Sequence, residues 1–254
     1  MLKYCCMSKE MKLLIYTLVS FIIISIGLIL CRKFIKDEKG KYKVLKISAI
    51  ATVIMHYSSL WVDFFSTKEA IVENNMLLPV YPCNIIMWLL VVCAFFKNKE
   101  IKIYNHFVEF TAIVGSFCGI VGIAINDNFL STPDFLDYDI LKGLLSHTIM
   151  LFGTLYLFVM GKVKISVKNN MLSIFYGMLL FAICGGIVNL LYYAFDLGEV
   201  NAMYMLYPPF ENLPFVNFYT IGIGSLLVMF IFSSTYEMVT LKKEERWYYK
   251  LRRK

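Results

Sequence analysis

Seven uninterrupted apolar runs, at residues 11–31, 44–64, 79–96, 104–125, 140–160, 171–195 and 216–238, constrain this chain more than any other feature. A helix rises about 1.5 Å per residue, so a run of about twenty residues matches the roughly 30 Å of hydrocarbon in a bilayer. Within such a run a helix satisfies its own backbone groups. A transmembrane strand would need alternating segments of about ten residues, which the continuous runs do not contain, and a barrel is excluded. Hydrophobic residues make up 59% of the chain and charged residues 17%, a balance suited to lipid rather than water. The expected fold is all-α: a polytopic bundle of seven transmembrane helices forming a single membrane domain over residues 1–254. No internal repeat or Gly/Ser-rich linker marks off a second domain.

The first run is as long as a full span and ends in Cys31, Arg32 and Lys33 without a small-residue cleavage site. It reads as a retained helix rather than a signal peptide. The loops alternate in charge. Residues 32–46 hold seven bases, 97–102 three, 162–168 three and 242–254 seven, which together are 20 of the 25 Lys and Arg. The opposite loops carry Glu69, Glu73, Asp127, Asp134, Asp137, Asp139, Asp196, Glu199 and Glu211, with Lys68 and, at a helix start, Lys142. Cytoplasmic loops retain Lys and Arg, so the expected N-terminus is external, the C-terminus cytoplasmic, and the location the cell membrane. Because the bases are spread over short loops, the net charge of +7 reflects topology and not a nucleic-acid partner. The seven cysteines include no metal-type CxxC pair and sit mostly in apolar runs, which argues against a disulfide framework. The final segment mixes Trp247, Tyr248 and Tyr249 with bases, a pattern that fits an interfacial anchor and a solvated tail equally well.

A titratable group in hydrocarbon costs about 2.5–3.5 kcal/mol on insertion scales, so each one needs a partner, a cavity or a function. The candidates are His56, Asp63, Glu109, His147, Asn189 and Glu237. Asp63, His106 and Glu237 lie near span ends, where side chains can snorkel to water. Cys83 stands in Leu78-Pro79-Val80-Tyr81-Pro82-Cys83-Asn84-Ile85. Proline is preorganised for the first helical position, which puts Cys83 in a first turn. Unpaired amides and the positive end of the helix dipole favour a thiolate there and can hold an oxyanion. Asn84 adds a side-chain donor. An inert buried thiol is the competing reading. His147 lies at a comparable depth in the fifth run, and a neutral imidazole there can take a thiol proton and later return one. A histidine that bonds neighbouring helices is equally consistent with that position. His56 and His147 show no short two-histidine spacing, so no metal and no other cofactor is expected.

The stretch at 78–85 and Ser146-His147 within Leu144-Leu145-Ser146-His147-Thr148 resemble the YwaF-like family of integral membrane proteins. Asn189 with the later Asn201-Ala202-Met203-Tyr204-Met205-Leu206-Tyr207-Pro208 is similar to that family's Asn and Asn-Tyr...Pro pattern. The Gly-rich helix at 115–122, with Ser131-Thr132-Pro133-Asp134 beyond it, adds to the resemblance, which runs over about residues 45–240. Many relatives carry a histidine and an aliphatic residue where this chain has Tyr81 and Pro82. The family's eukaryotic relatives include a phospholipid acyltransferase whose reactive cysteine and histidine match Cys83 and His147. The resemblance therefore implies acyl transfer on a membrane phospholipid or lysophospholipid through an acyl-thioester. In that scheme Cys83 is nucleophile, His147 base and acid, and Asn84 an oxyanion donor, with Tyr81, Asn189, Asn201 and Tyr204 on the head-group side.

Two other classes of function compete. A transporter or receptor would line a pathway with the same polar residues. The runs show no matched broken helices in two halves, and the seventh has no lysine for a retinal Schiff base. A scaffold would use the polar groups only to join helices. The charge alternation itself generates a test: in a cysteine-free background, a cysteine placed at 39 or 250 should react with a membrane-impermeant maleimide only after permeabilisation. One placed at 69 or 199 should react in intact cells, and the reverse pattern would overturn the orientation.

Overall fold

The computed structural model describes residues 9–67, 74–96, 101–124, 138–209 and 213–252. Each apolar run forms a helix. These are α1 (Lys9–Phe34), α2 (Glu38–Thr67), α4 (Pro82–Phe95), α5 (Lys102–Ala124), α6 (Tyr138–Val159), α7 (Val167–Ala194) and α8 (Phe218–Thr240). Shorter pieces are α3 (Asn74–Leu77), a 3-10 turn at Ala202–Tyr204, another at Lys243–Glu245, and α9 (Trp247–Arg252). Among the described residues there is no strand. The 131–134 stretch, the 68–73 and 97–100 loops and the Asp63 side chain lie outside the described residues.

Among the described residues six helices are long and apolar enough to cross a membrane, where seven full spans are expected from the sequence. The exception is α4. Pro82 occupies its first position and Tyr81 is extended (φ −106°, ψ 153°), so the helix cannot reach back to residue 79. Its 14 residues rise only about 21 Å at 1.5 Å each. For orientation, the end of the bundle that holds the start of α4 is called the upper end.

The long helices run alternately up and down. α6 is the central one, packed against α5, α2, α1 and α4. α5 also contacts α4 and α7, and α8 packs on α7. The α5–α6 seam is built on small residues. A methyl group at Gly115 would lie 2.6 Å from Thr154 Cγ2 and 2.7 Å from Ile86 Cγ2, and one at Gly119 would lie 2.8 Å from Leu151 Cβ. At Gly122 it would overlap the His147 ring. These glycines sit four and three residues apart, on one helix face, and meet residues 154, 151 and 147 of the antiparallel neighbour. Lipid offers no hydrophobic drive between spans, so backbone approach through small residues is what lets them associate. On the other side of α6, a methyl at Gly153 would lie 2.5 Å from Ser48 Oγ of α2.

Leu45, Ala49, Leu90, Ala94, Ala112 and Tyr156 pack together in one apolar cluster, and Ile86, Phe110, Met150, Ile174 and Phe181 in another. The outward faces of α1, α7 and α8 are apolar and exposed, with Ile29, Leu190 and Val228 about two-thirds accessible. Such continuous apolar surface fits acyl chains and not water. The seam predicts that Gly119→Leu destabilises the bundle by about 1–3 kcal/mol through overpacking. Gly186→Ala, which meets nothing within 4 Å, should leave the detergent-solubilised melting temperature near wild type.

Candidate functional site

The first turn of α4 is organised by Asn84. Its Oδ1 accepts the Tyr81 N–H at 2.9 Å, and its own N–H donates to the Tyr81 carbonyl at 3.0 Å. This reciprocal pairing closes the helix start and fixes the residue between, Cys83. The Cys83 sulfur lies beside the N–H groups of Cys83 and Asn84, and its side chain and that of Cys118 on α5 both pack against the cluster around Ile86 and Phe110. Asn84 Nδ2 is 3.4 Å from Nε2 of His56 on α2, so His56 accepts at Nε2 and carries its proton on Nδ1. The second N–H of the Asn84 amide remains for another acceptor.

His147 lies on α6, half-buried, with its ring on Gly122 of α5. Its Nδ1 is 2.8 Å from the Gly143 carbonyl, which assigns the proton to Nδ1 and leaves the Nε2 lone pair unprotonated. Gly122 and Cys118 are one turn apart on α5. The seam therefore brings His147 to the α5 turn next to Cys118, which packs against the same apolar cluster as Cys83.

The other expected site residues hold loops. Asn189 Oδ1 accepts the Ala202 N–H at 2.8 Å and its Nδ2 reaches the Ala202 carbonyl at 3.4 Å. Asn201 donates to the Tyr207 carbonyl at 2.7 Å and accepts the Leu206 N–H at 2.9 Å. Met203 N–H donates to the Val80 carbonyl at 2.8 Å, so the 201–207 loop is folded over the start of α4. Met203 and Tyr204 both have φ of 56°, a left-handed conformation that costs about 1–3 kcal/mol per residue and persists only where the surroundings impose it. The Tyr204 ring ends 6.0 Å from that of Tyr81.

Glu109 does not join this group. It sits toward the lower end of α5, buried, where its carboxylate is 2.8 Å from Ser173 Oγ; that hydroxyl is in turn 3.1 Å from His106 Nδ1. Glu237 is also buried and does not snorkel. Its two oxygens accept the N–H groups of Val167 at 2.8 Å and Trp247 at 2.7 Å. A further buried charge is one the sequence places among the loops: Lys142 is only 8% exposed, and its Nζ donates to Ser59 Oγ of α2 at 3.1 Å. The signal for it is Ser59, three residues after His56 on the same face of α2. Among the described residues no group of three or more His, Cys, Asp or Glu side chains is placed to hold a metal.

The sequence profile of the TMEM164 family matches residues 6–236. The chain belongs to the TMEM164 family. The matched region takes in the first six apolar helices, all but the last turn of the seventh, and every residue of the upper site, so this chain is a multi-pass membrane protein of that family. No curated protein matches it, and no solved structure does. Within the TMEM164 region Asn189 carries the clearest structural duty. Asn189→Leu should free the 201–207 loop, raising amide exchange at Ala202 and Met203 by about tenfold, the equivalent of the ~1.4 kcal/mol that such a bonded pair contributes. Unchanged exchange would mean that the loop is held by other contacts.

Proposed function

We propose that this chain is a lipid-directed acyltransferase or acyl hydrolase of the cell membrane, working through an acyl-thioester on Cys83. The observation that carries the reading is the tautomer of His147: a neutral imidazole, with its proton tied to Gly143, sets its Nε2 against Gly122 of α5, one turn from Cys118, which packs on the same apolar cluster as Cys83. A thiol among apolar side chains keeps its proton until a base removes it. His147 is that base.

In the first half-reaction the Cys83 proton passes to His147 Nε2 and the sulfur attacks the ester carbonyl of a phospholipid. The first-turn amide of Cys83 and the spare Asn84 N–H stabilise the oxyanion. The ester C–O bond breaks, and the lysophospholipid oxygen leaves with the proton from His147. In the second, a lysophospholipid hydroxyl or water gives its proton to His147 and attacks the thioester, and Cys83 recovers the proton as the C–S bond breaks. Tyr81 and Tyr204, on the loop-covered side, face the head group. α4, with the non-helical 78–81 segment before it, completes a seventh crossing, with the N-terminus outside and the C-terminus in the cytoplasm.

A second reading has its own support. Asn84, Asn189 and Asn201 are all engaged in bonds that hold the upper end together, which is what a transporter, receptor or scaffold without chemistry would show. The two readings separate on purified protein in nanodiscs supplied with acyl-labelled phospholipid. Catalysis predicts a hydroxylamine-sensitive label on Cys83, absent in Cys83→Ser, and turnover lowered about 100-fold or more in His147→Asn at an unchanged melting temperature. Turnover that survives both substitutions would end the catalytic reading, as would variants that change only stability.

A further inference from the structure

The lower end of the bundle carries a junction that the proposed chemistry does not use. Glu237, in the last turns of α8, bonds the first amide of α7 through one oxygen and the first amide of α9 through the other. Two amides bonded to one carboxylate are at most about 8 Å apart. The turn before α7 and the segment after α8 are therefore parts of a single surface. α9 is seated on it, with the Trp247 ring 5.3 Å from that of Phe230 on α8 and Arg246 Nε donating to the Leu241 carbonyl at 3.1 Å.

The bases at this junction come from both segments: Lys164 and Lys168 from the first, Lys242, Lys243, Arg246 and Lys250 from the second. All but Arg246 are exposed. They outnumber the exposed carboxylates of the same surface, Glu244 and Glu245, and the Glu237 charge is taken up by backbone amides. Trp247, Tyr248 and Tyr249 are half-buried beside them, aromatic side chains of the kind that settle at head-group depth.

We propose that this junction is a binding surface for anionic phospholipid head groups, assembled from two chain segments by Glu237. The position of the bases favours lipid over a soluble polyanion. They flank the first turn of α7 and the last turn of α8, two candidate membrane spans, so lipid phosphates lie at their own level without having to be recruited. Attraction of this kind fades within about 8 Å at physiological salt, a limit that headgroup-level bases meet and a free tail would not. The inference does not rest on the acyl-transfer reading, because it concerns the opposite end of the bundle and needs no chemistry.

The test uses the full chain in nanodiscs, with Trp61 and Trp88, both exposed, replaced by Phe so that Trp247 alone reports. Brominated phosphatidylglycerol and brominated phosphatidylcholine are compared at equal mole fraction as quenchers. The expected result is an apparent affinity about fivefold or more higher for the anionic lipid, falling toward parity in 0.5 M salt and in a variant with Lys164, Lys168, Lys242, Lys243 and Lys250 changed to Gln. Glu237→Gln should reduce the preference even though every base remains. Equal quenching by both lipids in the parent protein overturns the proposal. So does displacement of the anionic lipid by millimolar inorganic phosphate, which would make the ligand a free anion.

Discussion

The close approach of α5 and α6 is the contact on which the other packing depends. Three glycines on one face of α5 admit Thr154, Leu151 and the His147 ring of α6 to positions that any side chain would occupy. Between helices in lipid this approach is the source of attraction, because the alternative to packing is equally apolar acyl chain. It also sets a distance that the neighbours inherit. α4 can lie on both helices because Ile86 reaches the same Gly115 that Thr154 fills, and α2 closes the group by placing Ser48 against Gly153. The position of the imidazole follows from the seam: a residue at 122 with a side chain would push the His147 ring off α5.

How much of this could be read in advance depends on the scale of the signal. Spans are long-range features of composition, and each of the seven runs is a helix. The start of α4 was also legible, since a proline at the first position sets local backbone geometry without reference to the fold, whereas the pairing of Asn84 with Tyr81 that closes it was not. Its length was not. An apolar run extending back through Pro79 looks like span, and only the conflict between Pro82 and a continuing helix shows that the residues before it must be extended.

Contacts between elements far apart in the chain left no sequence signal of their own. Asn189 reads as a polar residue that needs a reason. The reason is a backbone unit thirteen residues later, whose N–H and carbonyl it takes together. Glu237 sits near a span end, where snorkelling is the expected escape, yet it is enclosed because two separate helix starts converge on it and supply donors that water would otherwise supply. Lys142 is a loop charge by position and a buried one by contact, since the first turn of α6 lies against Ser59 of α2. In each case the decisive fact is the identity of a neighbour that pairwise spacing does not encode.

The two ends of the bundle bury polar groups against different kinds of partner. At the lower end Glu109 and Glu237 are engaged, by Ser173 and by two backbone amides, and Asn170 accepts from Ser233 at 3.0 Å and from the Ser166 N–H at 2.8 Å. Acceptors matched to fixed donors in a low-dielectric setting make rigid joints, which tie α5, α7 and α8 together. Matching is incomplete at both ends: Ser234 Oγ of α8 is buried without a hydrogen-bond partner, and the upper end has open groups of its own. Asn84 keeps one N–H, His147 keeps a lone pair, and the first-turn amide of Cys83 has no helical carbonyl to receive it. These groups are held in place by neighbours whose own valences are filled. The strained Met203–Tyr204 backbone above them is held by bonds to Val80 and Asn189, so the surroundings that impose the strain are the same residues that cover the site.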